Sequence, residues 1–353
     1  MNLYVHFPFC RGRCAYCALL SRAGSTPAAR AAHVDRVVRE IDALPSAPRT
    51  VYFGGGTPAL CDLAPVFAAL RRKGAPPDEF TVELHPADAV PATLDALRAG
   101  GVNRVSLGVQ SLDDAALAAM GRGHTAAEAE AAFRRVRAVF PNAGLDLIAG
   151  WPGTTDASWR ATLVRALALE PVHVSCYSLI HEPRTRLDLA VRRGEVVLPD
   201  DEAALAQVAC ARDAFAAAGL GRYEVSNYAR PGFACRHNRA VWRGEDYVGL
   251  GEGAHGRAGL VRTVGTRDGY ETSSVTEEED ALERALLGLR TADGLDLADI
   301  PRRWPLLAPR MPVWRDRLAA LVPPGILAAP APDRFVPTDR GFEVCDAVMA
   351  ELV

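Results

Sequence analysis

Along the first 220 residues, short apolar runs alternate with longer stretches in which apolar residues recur at helical spacing. The runs predict strands at Leu3–Phe7, Thr50–Phe53, Phe80–Leu84, Arg104–Val109, Gly144–Ile148 and Val172–Leu179. The first helical stretch opens on Thr26-Pro27, a cap followed by proline at the first helical position. It then sets Val34, Val37, Val38, Ile41 and Leu44 on one face. Further helices are expected near 61–73, 91–99, 125–140, 155–169 and 200–218. Six strand–helix units in succession imply a parallel sheet, either curved into a partial barrel or laid open and doubly wound. In both layouts functional groups gather at the carboxyl ends of the strands.

After residue 220 the pattern changes. A glycine-rich run from Tyr247 to Gly256, an acidic helix opening over 277–290 and a proline-rich end predict a small mixed α+β domain. The expected division is therefore 1–220 for the barrel-like core and 221–353 for the second domain, a sum that suits 353 residues.

Chemistry concentrates just after the first strand. Cys10, Cys14 and Cys17 stand in C-x3-C-x2-C spacing. Thiolates are soft ligands for iron–sulfur clusters or zinc, and three of them would leave one iron of a four-iron cubane without a protein ligand. Gly54, Gly55, Gly56 and Thr57 follow the second strand, where glycine lets a ligand approach the backbone. Glu83, Gln110, Arg122 and Asp146 fall at or beside later strand ends, and a charge at Asp146, inside an apolar run, is costly unless paired.

Composition narrows the setting. The chain is 49% hydrophobic and 24% charged with net charge −3, which gives no nucleic-acid footprint. Its eight cysteines, scattered outside the triplet, do not form a secreted disulfide pattern. The first apolar run ends at Pro8, so no signal peptide is expected, and no stretch approaches a membrane span. The reading is a cytoplasmic protein without a transmembrane segment, limited to peripheral contact with a membrane.

These motifs together resemble the radical SAM superfamily, in particular its coproporphyrinogen-oxidase-like branch and the haem-chaperone (HemW) group within it. The resemblance rests on Tyr4 to Cys10 with the cysteine triplet, Gly54 to Pro58, Gly101 to Ser111, Asp146 to Gly153 and Gly249 to Gly256. It implies a partial (β/α)6 barrel with a small C-terminal domain. It also implies a [4Fe–4S] cluster on Cys10, Cys14 and Cys17, with S-adenosylmethionine (SAM) on the open iron. Tyr4, Tyr16, Gly55, Gly56, Thr57, Glu83, Gln110, Arg122 and Asp146 match SAM-contacting positions. His237 and Asn238, in a stretch ending at Trp242, resemble a chaperone motif, and His237 is the expected haem ligand. Cys235 and His255 are the alternatives to it.

Departures are Ala18-Leu19 after the triplet, where the oxidases carry a fourth cysteine at the second position, and Val241 in place of tyrosine. The resemblance implies haem transfer to respiratory proteins, with an electron donor such as flavodoxin or ferredoxin. A two-SAM methyltransferase or cyclopropanase is the alternative, and oxygen-independent coproporphyrinogen III oxidation ranks last. No catalytic residue is assigned.

Overall fold

The computed structural model describes all residues, 1–353. The core half runs β1 (Asn2–Phe7), β2 (Phe9–Cys10), β3 (Arg22–Ala23), α1 (Pro27–Asp42), β4 (Thr50–Gly55), α2 (Ala64–Arg72), β5 (Glu79–Leu84) and α3 (Pro91–Ala99). It continues with β6 (Arg104–Gln110), α4 (Asp114–Ala119), α5 (Ala126–Val139), β7 (Asn142–Ala149), α6 (Asp156–Leu167), β8 (His173–Ser178), α7 (Arg186–Arg192) and α8 (Asp201–Ala217). All six expected strands are present, and α3 spans the expected residues 91–99.

Helix starts follow their capping chemistry. Thr26 Oγ1 accepts the Ala29 amide ahead of Pro27, and Thr125 with Glu128 closes a capping box on α5.

Strands β1, β4, β5, β6, β7 and β8 are hydrogen-bonded in that order, all parallel. Chain order equals spatial order, with no reversal of direction across the sheet. That decides for the arc of a partial barrel over a doubly wound sheet. Alternation along each strand sets the two faces apart. Leu3, Val5, Phe7, Val51, Phe53, Phe80, Val82, Val105, Leu107, Leu145, Leu147 and Val174 are buried in one continuous core beneath the helices. The intervening positions are polar: Tyr4 pairs across with Tyr52, Glu83 with Ser106, and Asp146 with Ser175.

Residues beyond 220 extend this same sheet. They form β9 (Gly221–Arg222), β10 (Asn227–Ala229), α9 (Arg236–Trp242), β11 (Tyr247–Leu250), β12 (His255–Ala258), β13 (Val261–Gly265) and β14 (Tyr270–Ser274). β11 lies parallel beside β1, with Asn2 opposite Tyr247, so the glycine-rich run covers the barrel's first edge. β10 covers the last edge, antiparallel to β8. Small side chains at 249 and 256 are obligatory, since a Cβ on Gly249 would sit 2.0 Å from the His255 carbonyl oxygen. A second hydrophobic core, from Ala281 to Leu352, gathers around Trp314. It docks on the barrel through Arg222, whose guanidinium lies 4.4 Å from the Phe342 ring centroid and 5.5 Å from that of Tyr228. No helix is long and apolar enough to cross a membrane.

Phe53 is fully buried and packs on Phe7, Phe67 and Phe80 with ring centroids 5.2, 6.4 and 4.9 Å away. Phe53→Ala is expected to cost about 3–5 kcal/mol, read as a lowered midpoint in chemical denaturation.

Candidate cofactor cavity at the barrel mouth

The carboxyl ends of the six parallel strands surround a cavity of about 820 Å³. Its wall carries Cys10, Cys14, Tyr16, Cys17, Gly55, Gly56, Thr57, Glu83, Gln110, Arg122 and Asp146. Residues from five separate strand ends thus meet at one place.

The cysteine loop is held from several sides. β2 pairs with β3, and the Arg22 amide donates to the Pro8 carbonyl at 2.7 Å. The Ala15 amide donates to the Met120 carbonyl at 2.8 Å, and the Leu187 amide to the Ala15 carbonyl at 2.9 Å. Arg11 Nε lies 3.1 and 3.3 Å from the two carboxylate oxygens of buried Asp88, a two-point clamp between this loop and the segment after β5. Sequence reasoning missed that clamp, because a pair 77 residues apart leaves no local signal.

Gly56 has a structural reason beyond ligand approach. Its amide donates to the Phe7 carbonyl at 2.8 Å, and a Cβ there would stand 2.4 Å from the Phe9 carbonyl oxygen. Two backbones cross at this point, and only glycine permits it.

Glu83 and Asp146 stand in the polar interior below the cavity. The Tyr52 hydroxyl donates to Glu83 Oε1 at 2.7 Å. Burial, with the nearby Asp146 charge second, pushes the Glu83 carboxyl up to about 7. Ser106 Oγ donates to Asp146 at 2.9 Å, and burial raises this carboxyl too. The charge that looked costly in the sequence is therefore met by hydroxyls. Gln110 ends β6 at φ +71°, where the β6–β7 register shifts. A non-glycine residue in that region stores strain, a feature concentrated at functional sites.

Arg122 Nη1 lies 3.4 Å from Cys14 Sγ, and Nη2 donates to the Gly108 carbonyl. Its Nε is buried and without a partner. Behind it His85 and His124 form a pair. The Ala87 amide donates to His85 Nδ1 at 3.2 Å, so Nε2 carries the proton and faces His124 Nδ1 at 3.3 Å. Burial and the Arg122 charge hold both rings neutral, at about 3 and about 4. Tyr16 stands edge-on to Trp151 with centroids 6.0 Å apart. Tyr4 lies outside the cavity wall, its hydroxyl 3.1 Å from His6 Nδ1.

His237, the expected haem ligand, is placed away from this cavity. It sits in α9 near the amino ends of β4 and β5, opposite the cavity, and is 4% exposed. Its Nδ1 lies 3.0 Å from Thr50 Oγ1, and its ring packs 5.4 Å from that of Tyr52. Glu79 accepts the Arg236 and His237 amides at 2.9 and 3.0 Å, so a buried carboxylate holds the first turn of α9. Burial lowers the imidazole to about 4. No face of this ring is open to a macrocycle. Cys235 is fully buried in the same corner, its Sγ 3.3 Å from Glu79 Oε1.

The donor set fits a cluster. The three loop thiols are all partly exposed on one loop, while Cys61, Cys176, Cys235 and Cys345 are buried elsewhere and Cys210 stands partly exposed on α8. No three histidine, cysteine or acidic side chains converge closely enough to hold a single ion. A cubane takes one thiolate per iron, so three thiols on one loop can serve three of its irons.

This fold and this donor set define a radical SAM protein, and the profile of the radical SAM superfamily matches residues 4–166. The chain is 35% identical over 331 residues to the haem chaperone HemW of Synechocystis, covering 84% of this chain and 80% of that protein. It is 34% identical over 385 residues to HemW of Mycobacterium tuberculosis, covering 100% of this chain and 94% of that one. The chain belongs to the HemW family. The solved structure of coproporphyrinogen III oxidase (HemN) from Escherichia coli shares the fold, with TM-score 0.83 at 22% identity over 99% of this chain and 89% of that one. As a radical SAM protein the chain uses a [4Fe–4S] cluster and SAM.

A carboxyl raised to about 7 keeps a proton that the unfolded chain releases near 4.5, so stability falls as pH rises between those values. Glu83→Gln removes this dependence. Relative to the native chain, the variant is expected to gain about 1–3 kcal/mol between pH 5 and pH 8, read from urea midpoints at both pH values.

Proposed function

We propose that this chain is a haem chaperone that keeps the radical SAM machinery and passes haem to respiratory enzymes. One observation carries the reading: the three loop cysteines and every SAM-assigned residue except Tyr4 line a single cavity. In this proposal Cys10, Cys14 and Cys17 each hold one iron. Gly55, Gly56 and Thr57 pass along the methionine part of SAM, and Glu83, Gln110, Arg122 and Asp146 meet its charged and polar groups. Tyr16 packs at the edge, and Tyr4 supports the layer beneath. When bound, the cluster and SAM supply one-electron reduction of a sulfonium centre.

The protein's own groups prepare that site. The Arg122 guanidinium beside Cys14 offsets the charge of three thiolates. A Glu83 carboxyl near 7 can hold a proton or take up a charge with little penalty at neutral pH. The hydroxyls of Tyr52 and Ser106 keep both carboxylates fixed, so little reorganisation is needed when a cationic ligand enters. The proposed electron donor is a flavodoxin or ferredoxin, and the proposed location is the cytoplasm, in keeping with eight free cysteines.

Anaerobic reconstitution is expected to give about four irons per chain. Replacing Cys10, Cys14 or Cys17 by alanine should abolish it, while replacing Cys61, Cys210 or Cys345 should not. The reconstituted protein should then bind haemin with 1:1 stoichiometry and leave coproporphyrinogen III unchanged in the presence of SAM and reductant. Accumulation of S-adenosylhomocysteine together with a methylated product would move the reading to the two-SAM methyltransferase.

A further inference from the structure

A haem carrier needs a ligand for the iron, an apolar platform for the ring and cations for the propionates. The structure removes most candidates for the first. The chain has eight histidines. His6 is taken up by the Tyr4 hydroxyl and the Leu20 carbonyl, and His33 by the His6 carbonyl. His85 and His124 hold each other, His173 meets the Tyr223 hydroxyl at 2.9 Å, and His237 is locked on Thr50. Two histidines are exposed, His181 and His255. Neither ring lines the cavity wall, and His255 opens β12, away from the residues that do. His181 lies in the loop between β8 and α7, and its neighbours Ile180 and Glu182 both line the cavity.

The surroundings of His181 have the layout of a metal-ligating imidazole. Its Nε2 lies 3.1 Å from Asp188 Oδ1, and its Nδ1 has no protein partner. Asp188 is buried and fixed: Arg192 Nε donates to it at 3.0 Å and the Arg184 amide at 2.8 Å. A carboxylate on one ring nitrogen orients the imidazole and raises the basicity of the other.

The apolar platform is also present. Leu19 is 57% and Ile180 68% exposed, and both line the cavity at its mouth. Two large apolar side chains left in water at the rim of a polar cavity mark a binding surface more than a core. The residue at 19, where the oxidases carry a cysteine, thereby gains a use. Exposed Arg184 follows in the same loop, and exposed Arg186 opens α7 directly after it. Arg186 reaches over the cysteine loop to the Arg13 carbonyl at 2.6 Å.

Resting on the chaperone reading above, we propose that haem docks across the mouth of the cavity on Leu19 and Ile180. His181 Nδ1 is its axial ligand, and Arg184 and Arg186 face the propionates. The iron then sits on the rim loop, outside the polar chamber assigned to SAM, so both can be held at once.

Haemin titration of the reconstituted protein, followed through the Soret band, tests this site. His181→Ala should weaken haemin binding about tenfold or more and shift the band, with iron content per chain unchanged. Added imidazole should restore the native band to that variant. The double variant Arg184→Gln/Arg186→Gln should weaken binding while leaving the band position intact, and His255→Ala should change neither. Native affinity and spectrum in His181→Ala would overturn this site alone, as would loss of the native band in His255→Ala. Failure of the unaltered chain to bind haemin would overturn the chaperone reading, and this site with it.

Discussion

The barrel rests on an inverted division of surfaces. Its apolar strand positions face the helices, so its interior has to be filled with polar groups that satisfy one another. Tyr52 holds Glu83, Ser106 holds Asp146, Thr50 holds His237, and Glu79 holds the start of α9. Arg104, 1% exposed, crosses the middle with Thr81 3.5 Å from its Nη1. Removing one partner of such a network strands a desolvated charge or dipole, which costs more than the contact itself contributes. The arrangement also places carboxyls of raised pKa directly beneath an open cavity, where binding a cation would relieve them.

The two ends of the barrel divide the labour. At the amino end the polar groups are enclosed, Arg104 Nε, Asn142 Oδ1 and His173 Nδ1 without partners among them, and α9 plugs the opening with His237 in its first turn and Cys235 just before it, both buried. At the carboxyl end several polar groups are left available: the partnerless Nε of Arg122, the strained Gln110 and three partly exposed thiols. Residues after 220 serve both ends. β11 seals the edge of β1 and α9 fills the base, so the later residues complete the barrel before the second core around Trp314 begins.

Much of this was legible from the chain alone. The six strands, the order of their helices, the cysteine loop and the glycine turn all come from local chemistry, since alternation, capping and spacing act over a few residues. A charged residue inside an apolar strand, as at Asp146, called for a buried partner for the same reason. The residues assigned to SAM could be read singly as caps or ion pairs, and parallel strands of one hand brought them to one rim.

What lay beyond the sequence were pairings between distant segments. Nothing near Arg11 foretells Asp88, and nothing near Tyr247 foretells an edge strand beside β1. His237 is the clearest case. Its neighbours in sequence suggested a haem ligand, yet the direction of α9 against β4 and β5 turns the ring inward onto Thr50, at the closed end. His181 had no motif to mark it, and only the fold sets it beside the buried carboxylate of Asp188, with Ile180 and Glu182 on either side lining the cavity. Local pattern determines which elements form and which residue types they carry; the side of the barrel on which a side chain ends is decided when strands pair and helices dock.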